Sequence, residues 1–237
     1  TRDGRDWVIN GSKMWITNGN LADVAVVWAQ TDDGIRGFVV PTDTPGFAAH
    51  KITHKLALRA SVTSELTFEN LRLPADAVFP DVTGLKGPLA CLSEARYGIV
   101  WGALGAARSS LDAARRYSME RIQFGRPIAG FQLTQAKLAN MATELQLGQL
   151  LALHLGRRKD TVGLRPEQVS VGKYNNITKS IEICRTARTI LGANGVSGEY
   201  PVLRHANNLE SVLTYEGTVE MHTLVLGQAL TGESAFR

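Results

Sequence analysis

Few side chains in this chain are placed to do chemistry, and taken one at a time most of them read as ordinary. Glu216 stands in Tyr215-Glu216-Gly217-Thr218 at a helix start, where a carboxylate is favoured by the helix macrodipole. Arg121 ends a long helical segment, where a solvated cation is favoured by the opposite pole. Trp15 and Thr17 sit at a strand end and read as a half-buried aromatic and a turn hydroxyl. His50 and His54 are four apart in a β segment, a spacing that separates them by about 13 Å, too far to share a metal ion. They read as surface histidines, and no metal site is expected. Cys91 and Cys184 are far apart with no Cys-x-x-Cys pairing, which indicates neither a disulfide framework nor zinc and favours a reducing compartment. No Gly-x-Gly-x-x-Gly follows a strand and no P-loop pattern occurs, so a nucleotide would have to bind by other means.

Composition excludes several classes. The 237 residues are 44% hydrophobic, enough for a real core. The 26 Lys and Arg against 22 Asp and Glu leave +4, spread through amphipathic stretches rather than gathered with aromatics, so nucleic acid is not implied. No apolar run approaches the roughly 18 residues that span a bilayer, so membrane insertion is not expected. The start, Thr1-Arg2-Asp3-Gly4, has neither an initiator Met nor a signal-peptide pattern and reads as a mid-protein position.

The elements that must carry these residues fall into two kinds. Up to about Leu73 the text is strand-like: Trp7-Val8-Ile9, a turn signal at Asn10-Gly11, Lys13 to Thr17, Val24 to Trp28, a turn at Asp32-Asp33-Gly34, Gly37 to Val40, and Leu66-Thr67-Phe68. Beyond the connection ending at Gly87-Pro88 the period becomes 3.6. Helices are predicted from Ser93 to about Arg121, from Phe131 to about Lys159, and from Pro166 to the stop at Gly192-Ala193-Asn194-Gly195. Two shorter ones come after it, from Pro201 and from about Gly217. The expectation is α+β: an antiparallel, barrel-like β domain over 1–85 and an up-down helical bundle over 86–237.

Four segments, in order along the chain, carry a resemblance: Gly11-Ser12-Lys13-Met14-Trp15-Ile16-Thr17-Asn18-Gly19, Arg121-Ile122-Gln123-Phe124-Gly125, Leu191-Gly192-Ala193-Asn194-Gly195 and Tyr215-Glu216-Gly217-Thr218. Together they resemble the signatures of the acyl-CoA dehydrogenase family. Leu58-Arg59-Ala60-Ser61, Ala95-Arg96-Tyr97-Gly98-Ile99 with Trp101-Gly102, and His205 to Glu210 are most similar to its glutaryl-CoA dehydrogenases. The family's fold is an N-terminal helical domain, a middle β domain and a C-terminal four-helix bundle, usually in tetramers. The resemblance covers the last two, with the N-terminal helical domain and the first strand of the β domain absent from this chain.

The resemblance implies roles. Glu216 becomes the base that removes the proton next to an acyl thioester carbonyl, its pKa raised by desolvation. Gly217 lets the backbone approach the thioester, Tyr215 walls the site, and Arg96, on its own a surface helix charge, borders the acyl-CoA pocket. Trp15, Ile16 and Thr17 lie against a flavin ring. Arg121 reaches the FAD pyrophosphate across a subunit boundary, a task suited to a guanidinium, with Gln123, Phe124, Ile128 and Gln132 around the adenosine half. Thr189, Gly192 and Ala193 also border the dinucleotide, although relatives commonly carry a polar side chain and a Gly-Gly pair there, and the Ala193 methyl group restricts backbone approach. Thr218, Glu220 and Phe236 match positions near the cofactor, with helix capping, solvent exposure and tail packing as their plain alternatives.

The activity implied by the resemblance is FAD-dependent α,β-dehydrogenation of a short acyl-CoA, first of all glutaryl-CoA with decarboxylation to crotonyl-CoA. Electrons pass to an electron-transferring flavoprotein, and the enzyme is a homotetramer, cytoplasmic in a bacterium or in the mitochondrial matrix of a eukaryote. A non-catalytic oligomerising fragment is the alternative, as is a different short or branched acyl chain.

Overall fold

The change of period at the Gly87-Pro88 connection becomes a change of architecture in the computed structural model, which describes residues 1–235. The chain divides into two units, Thr1–Leu92 and Ser93–Arg237. Phe236 lies outside the described residues.

The first unit holds seven strands: β1 (Arg2–Asp3), β2 (Asp6–Thr17), β3 (Val24–Thr31), β4 (Gly34–Pro41), β5 (Phe47–Lys51), β6 (Thr63–Leu73) and β7 (Val78–Thr83). They form two antiparallel sheets, ordered β1-β2-β6-β5 and β3-β4-β7. Alternation places Trp7, Ile9, Leu66, Phe68, Leu71 and Leu73 of the first sheet against Val27, Phe38 and Val40 of the second in one buried core. Trp7 and Phe38 meet edge to face at 5.2 Å. Each such side chain contributes about 1.5–3 kcal/mol by burial.

The expected antiparallel β unit is found, and it consists of two open sheets that no strand pairing joins among the described residues. One expectation is corrected: Asn10-Gly11 is not a hairpin turn, because β2 runs straight through it and pairs with β6 on both sides. The register shifts between Ile9 and Gly11, and Gly11 takes the positive φ of 143°. The Asn-Gly pair thus makes a bulge. Asn10 fixes it by accepting from the Asn70 backbone N–H at 2.7 Å and donating to the Asn70 side chain at 3.2 Å.

The helices are α1 (Lys86–Glu120), α2 (Gln132–Thr161), α3 (Pro166–Ile190), α4 (Val202–Thr214) and α5 (Val219–Thr231), and a small hairpin, β8 (Ile122–Gln123) with β9 (Arg126–Pro127), links α1 to α2. The first helix starts at Lys86 rather than Ser93. Pro88 falls in its first turn, where the missing N–H has no helical partner to lose. The apolar stripe of α3 is the centre of the bundle. Ile183, Ala187 and Ile190 join Val100 and Leu104 of α1 and Met141, Leu145 and Ala152 of α2. Ile177, Ile181 and Cys184 join Ala103 of α1 and Ala206, Leu209 and Val212 of α4.

Candidate active site

The segment between α4 and α5 is a four-residue turn, Tyr215 to Thr218, whose conformation is costly to hold. Glu216 has φ 54° and Gly217 φ 93°. A left-handed residue with a Cβ costs roughly 1–2 kcal/mol, so something must hold Glu216 there.

What holds it is a pair of cations from two other helices. Lys173, in the first third of α3 and only 2% exposed, donates from Nζ to the carbonyls of Tyr215 at 2.7 Å and Gly217 at 2.6 Å. Arg96, on α1, donates from Nε to the Glu216 carbonyl at 2.7 Å. Three consecutive carbonyls are therefore engaged by charged donors, whose hydrogen bonds contribute about 1.5–3 kcal/mol each. Behind the turn His222 of α5 is buried, with Nδ1 3.0 Å from the Ser170 hydroxyl. A Cβ on Gly217 would lie 3.0 Å from His222 Nε2 and 3.4 Å from Arg96 Nη2, so glycine is favoured by the tight space and demanded by φ. Thr218 caps α5, its hydroxyl accepting from the Met221 N–H at 3.3 Å.

The electrostatics arise from this packing. Burial raises the Glu216 carboxyl above its ordinary range, against the opposing pull of Lys173 and Arg96. One carboxylate oxygen, Oε2, is buried with no hydrogen-bond partner among the described residues. Burial lowers Lys173 to about 8, Glu216 opposing and Arg96 assisting. Burial, Lys173 and Arg96 together lower His222 to about 4, so it is neutral at pH 7. Burial likewise raises Tyr215 and lowers Arg96. A carboxylate with one unpartnered oxygen beside two cations, on a rigid backbone, is equipped to accept a proton.

The structure thus brings Arg96, Tyr215, Glu216 and Gly217 together. A second group gathers where α1 ends. The Ile128 N–H donates to the Arg121 carbonyl at 2.9 Å across the hairpin, at whose tip Phe124 stands 92% exposed with φ 52°. Gln123 is exposed in β8, and Gln132, also exposed, opens α2. Thr189, Gly192 and Ala193 are exposed around the end of α3. Asn194, beside them, donates to the Tyr117 hydroxyl at 2.9 Å, one turn before Arg121. Glu220 is exposed in the first turn of α5. Its carboxyl is lowered by a hydrogen bond from Thr218. In the β unit, Trp15 has φ 64° and is 64% exposed, beside exposed Thr17 and half-buried Ile16. The register of β2 slips there between Lys13 and Ile16.

Lys173 and His222 are absent from the candidates read in the sequence. Their signal was a charged or titratable residue on a buried helical stripe: Lys173 lies four residues after Val169 and four before Ile177, where a lysine needs a partner.

Residues 1–71 match the acyl-CoA dehydrogenase middle domain and residues 83–231 the acyl-CoA dehydrogenase C-terminal domain. The chain belongs to the acyl-CoA dehydrogenase family. Among solved family members, the glutaryl-CoA dehydrogenase of Mycobacterium smegmatis is 67% identical with a TM-score of 0.98, over 100% of this chain and 61% of that one. A second M. smegmatis glutaryl-CoA dehydrogenase structure, in complex with FADH2, is 65% identical with a TM-score of 0.98 over the same shares. Among characterised members, the human mitochondrial short-chain specific acyl-CoA dehydrogenase is 37% identical over 94% of this chain and 56% of its own length. The short-chain specific enzyme of Megasphaera elsdenii is 33% identical over 96% of this chain and 61% of its own. The chain thus spans about three fifths of the length of these relatives.

Proposed function

We propose that this chain carries the catalytic and much of the flavin-binding machinery of an FAD-dependent acyl-CoA dehydrogenase, with Glu216 as the base. The observation that carries this reading is the Glu216 turn: a left-handed carboxylate, fixed by three charged hydrogen bonds, with one buried oxygen left without a partner. Such an oxygen is free to take a proton from the carbon next to a thioester carbonyl, and burial keeps it basic.

The residues assigned to the cofactor suit FAD. Trp15 and Phe124, 64% and 92% exposed, offer aromatic surface at left-handed positions, which suits a planar ring system. Arg121 has no ion-pair partner among the described residues and is a fitting donor to a pyrophosphate. Trp15, Ile16 and Thr17 would hold the flavin ring, while Arg121, Gln123, Phe124, Ile128 and Gln132 would hold the rest, with Thr189, Gly192, Ala193, Thr218 and Glu220 at its border. When bound, FAD supplies a hydride acceptor for the β carbon. Within the chain, Glu216 removes the α proton, Gly217 lets the thioester approach, Tyr215 keeps water out, and Arg96 both fixes the turn and borders the acyl-CoA.

The substrate is assigned as glutaryl-CoA, decarboxylated to crotonyl-CoA, supported by the 67% identity to a glutaryl-CoA dehydrogenase. Electrons pass to an electron-transferring flavoprotein, and the cofactor site is shared between subunits of a homotetramer. Among the described residues no helix is long and apolar enough to cross a membrane, and relatives include mitochondrial and bacterial enzymes. The test is to mix the full-length protein anaerobically with glutaryl-CoA. The flavin absorbance should bleach and crotonyl-CoA with carbon dioxide should form. Bleaching by butyryl-CoA alone would reassign the substrate, and a colourless protein would replace the enzyme by a non-catalytic relative.

A further inference from the structure

Lys173 is a costly side chain to bury: an amine in the interior of α3, 2% exposed, with no ion-pair partner among the described residues. A buried ammonium is tolerated only where it is well hydrogen-bonded. Its hydrogen bonds go to the carbonyls on either side of Glu216, and its ammonium lies 5.9 Å from the centre of the Tyr215 ring.

We propose that Lys173 is a positioning residue for the Glu216 base, holding the carboxylate in its left-handed turn from behind, without contact to substrate. The inference rests on the reading of Glu216 as the base. Two bonds from one nitrogen to residues 215 and 217 pin the backbone on both sides of residue 216, while Arg96 pins the carbonyl between them. The side chain of Glu216 is left with few directions to point. Lys173 has a second effect through charge, since its ammonium and the Arg96 guanidinium both pull the carboxyl toward the ionised form while burial pushes the other way. Tyr215 and neutral His222 complete the titratable groups facing the turn. Of the two cations, Arg96 is half-buried and is the one proposed to border the acyl-CoA, whereas Lys173 is enclosed by the bundle. Positioning without substrate contact therefore falls to Lys173.

The test uses full-length, flavin-loaded enzyme carrying Lys173→Met, Glu216→Gln, and both. Displacing a reacting group by about 1 Å costs on the order of 100-fold, so Lys173→Met should slow flavin reduction about 10- to 100-fold with FAD content unchanged and acyl-CoA binding changed about threefold or less. The acid limb of its pH–rate profile should move to higher pH, because the carboxyl has lost a neighbouring cation. In the double variant the lysine loss should cost almost nothing beyond Glu216→Gln, since a residue that acts through the base has nothing to position once the base is gone. Multiplying penalties, an unmoved acid limb or a wild-type rate in Lys173→Met would each overturn the proposal. A near wild-type rate in Glu216→Gln alone would overturn the base reading itself, and the lysine's role with it. Should Lys173→Met fail to fold, Lys173→Gln, which keeps a neutral donor, is read by the same three outcomes.

Discussion

Trp15 and Glu216 occupy the same unfavourable region of backbone space, φ 64° and 54°, and are held there by opposite means. At Trp15 the sheet does the work. A slip in the β2–β6 register between Lys13 and Ile16 turns the ring outward, and nothing in the β unit covers most of it. At Glu216 there is no ladder, and three carbonyls are tied instead by Lys173 and Arg96 from separate helices. The first arrangement makes a platform and leaves the side chain available to an occupant. The second fixes a direction, which a reacting group needs and a stacking surface does not. Among the described residues six non-glycines have positive φ; two are Asn18 and Asn70, for which it is mild, and three of the other four are Trp15, Phe124 and Glu216. Strain is concentrated at the proposed cofactor and base positions, as expected when the surroundings over-determine a functional conformation.

The comparison is tested most severely at the base. Glu216→Gln in the full-length enzyme should keep the turn and the flavin, because the amide is nearly isosteric and the clamp acts on the backbone. Flavin reduction should nevertheless slow by about 10² to 10⁴ in rapid mixing. Next in size is Gly217→Ala, which adds a Cβ 3.0 Å from His222 Nε2 at φ 93°. It should destabilise the protein by about 1–3 kcal/mol, read as a lower denaturation midpoint, and slow reduction as well.

A smaller effect is set by pH. His222 is lowered from 6.5 to about 4, so between those values the folded state binds fewer protons than the unfolded chain. Stability therefore rises with pH across that window and is lost as pH falls through it. Lys173, lowered from 10.5 to about 8, gives a second rise between about 8 and 10.5 by the same sign. Melting curves should show both, and His222→Asn, which keeps a hydrogen-bonding group for Ser170, should flatten the acidic one. The smallest change in stability is expected from Trp15→Gly. An exposed ring is lost and left-handed strain is relieved, so unfolding free energy should move by about 1 kcal/mol or less, while FAD affinity, measured by titrating the apoprotein, falls. A large loss of stability there would mean that Trp15 is structural and the contrast with Glu216 mistaken.

The sequence was legible where one residue type had one physical reading. Alternation and the 3.6 period separated strands from helices, and Pro166 and Gly192 marked the two ends of α3. Asn10-Gly11 misled because the same pair serves a two-residue turn and a bulge, and only the pairing of β2 with β6 on both sides decides between them. Pro88 misled in a similar way, since proline breaks a helix interior but is at home in a first turn. Barrel closure was not readable, because it depends on hydrogen bonds between strands distant in sequence. At the site, Glu216 and Gly217 were visible through their motif. Lys173 and His222 lie 43 residues before and 6 residues after Glu216, with partners that are backbone carbonyls and a serine, which leave no pattern in side-chain spacing.

The central claim, that Glu216 takes the α proton, is tested most directly by proton exchange without oxidation. The full-length holoenzyme would be incubated in D2O with an acyl-CoA whose β carbon is replaced by sulfur, so that no hydride can leave, and deuterium at the α carbon followed by mass spectrometry. The account predicts exchange by the wild type, and exchange by Glu216→Gln slowed by about 10² or more. Equal exchange rates in the two proteins would contradict it.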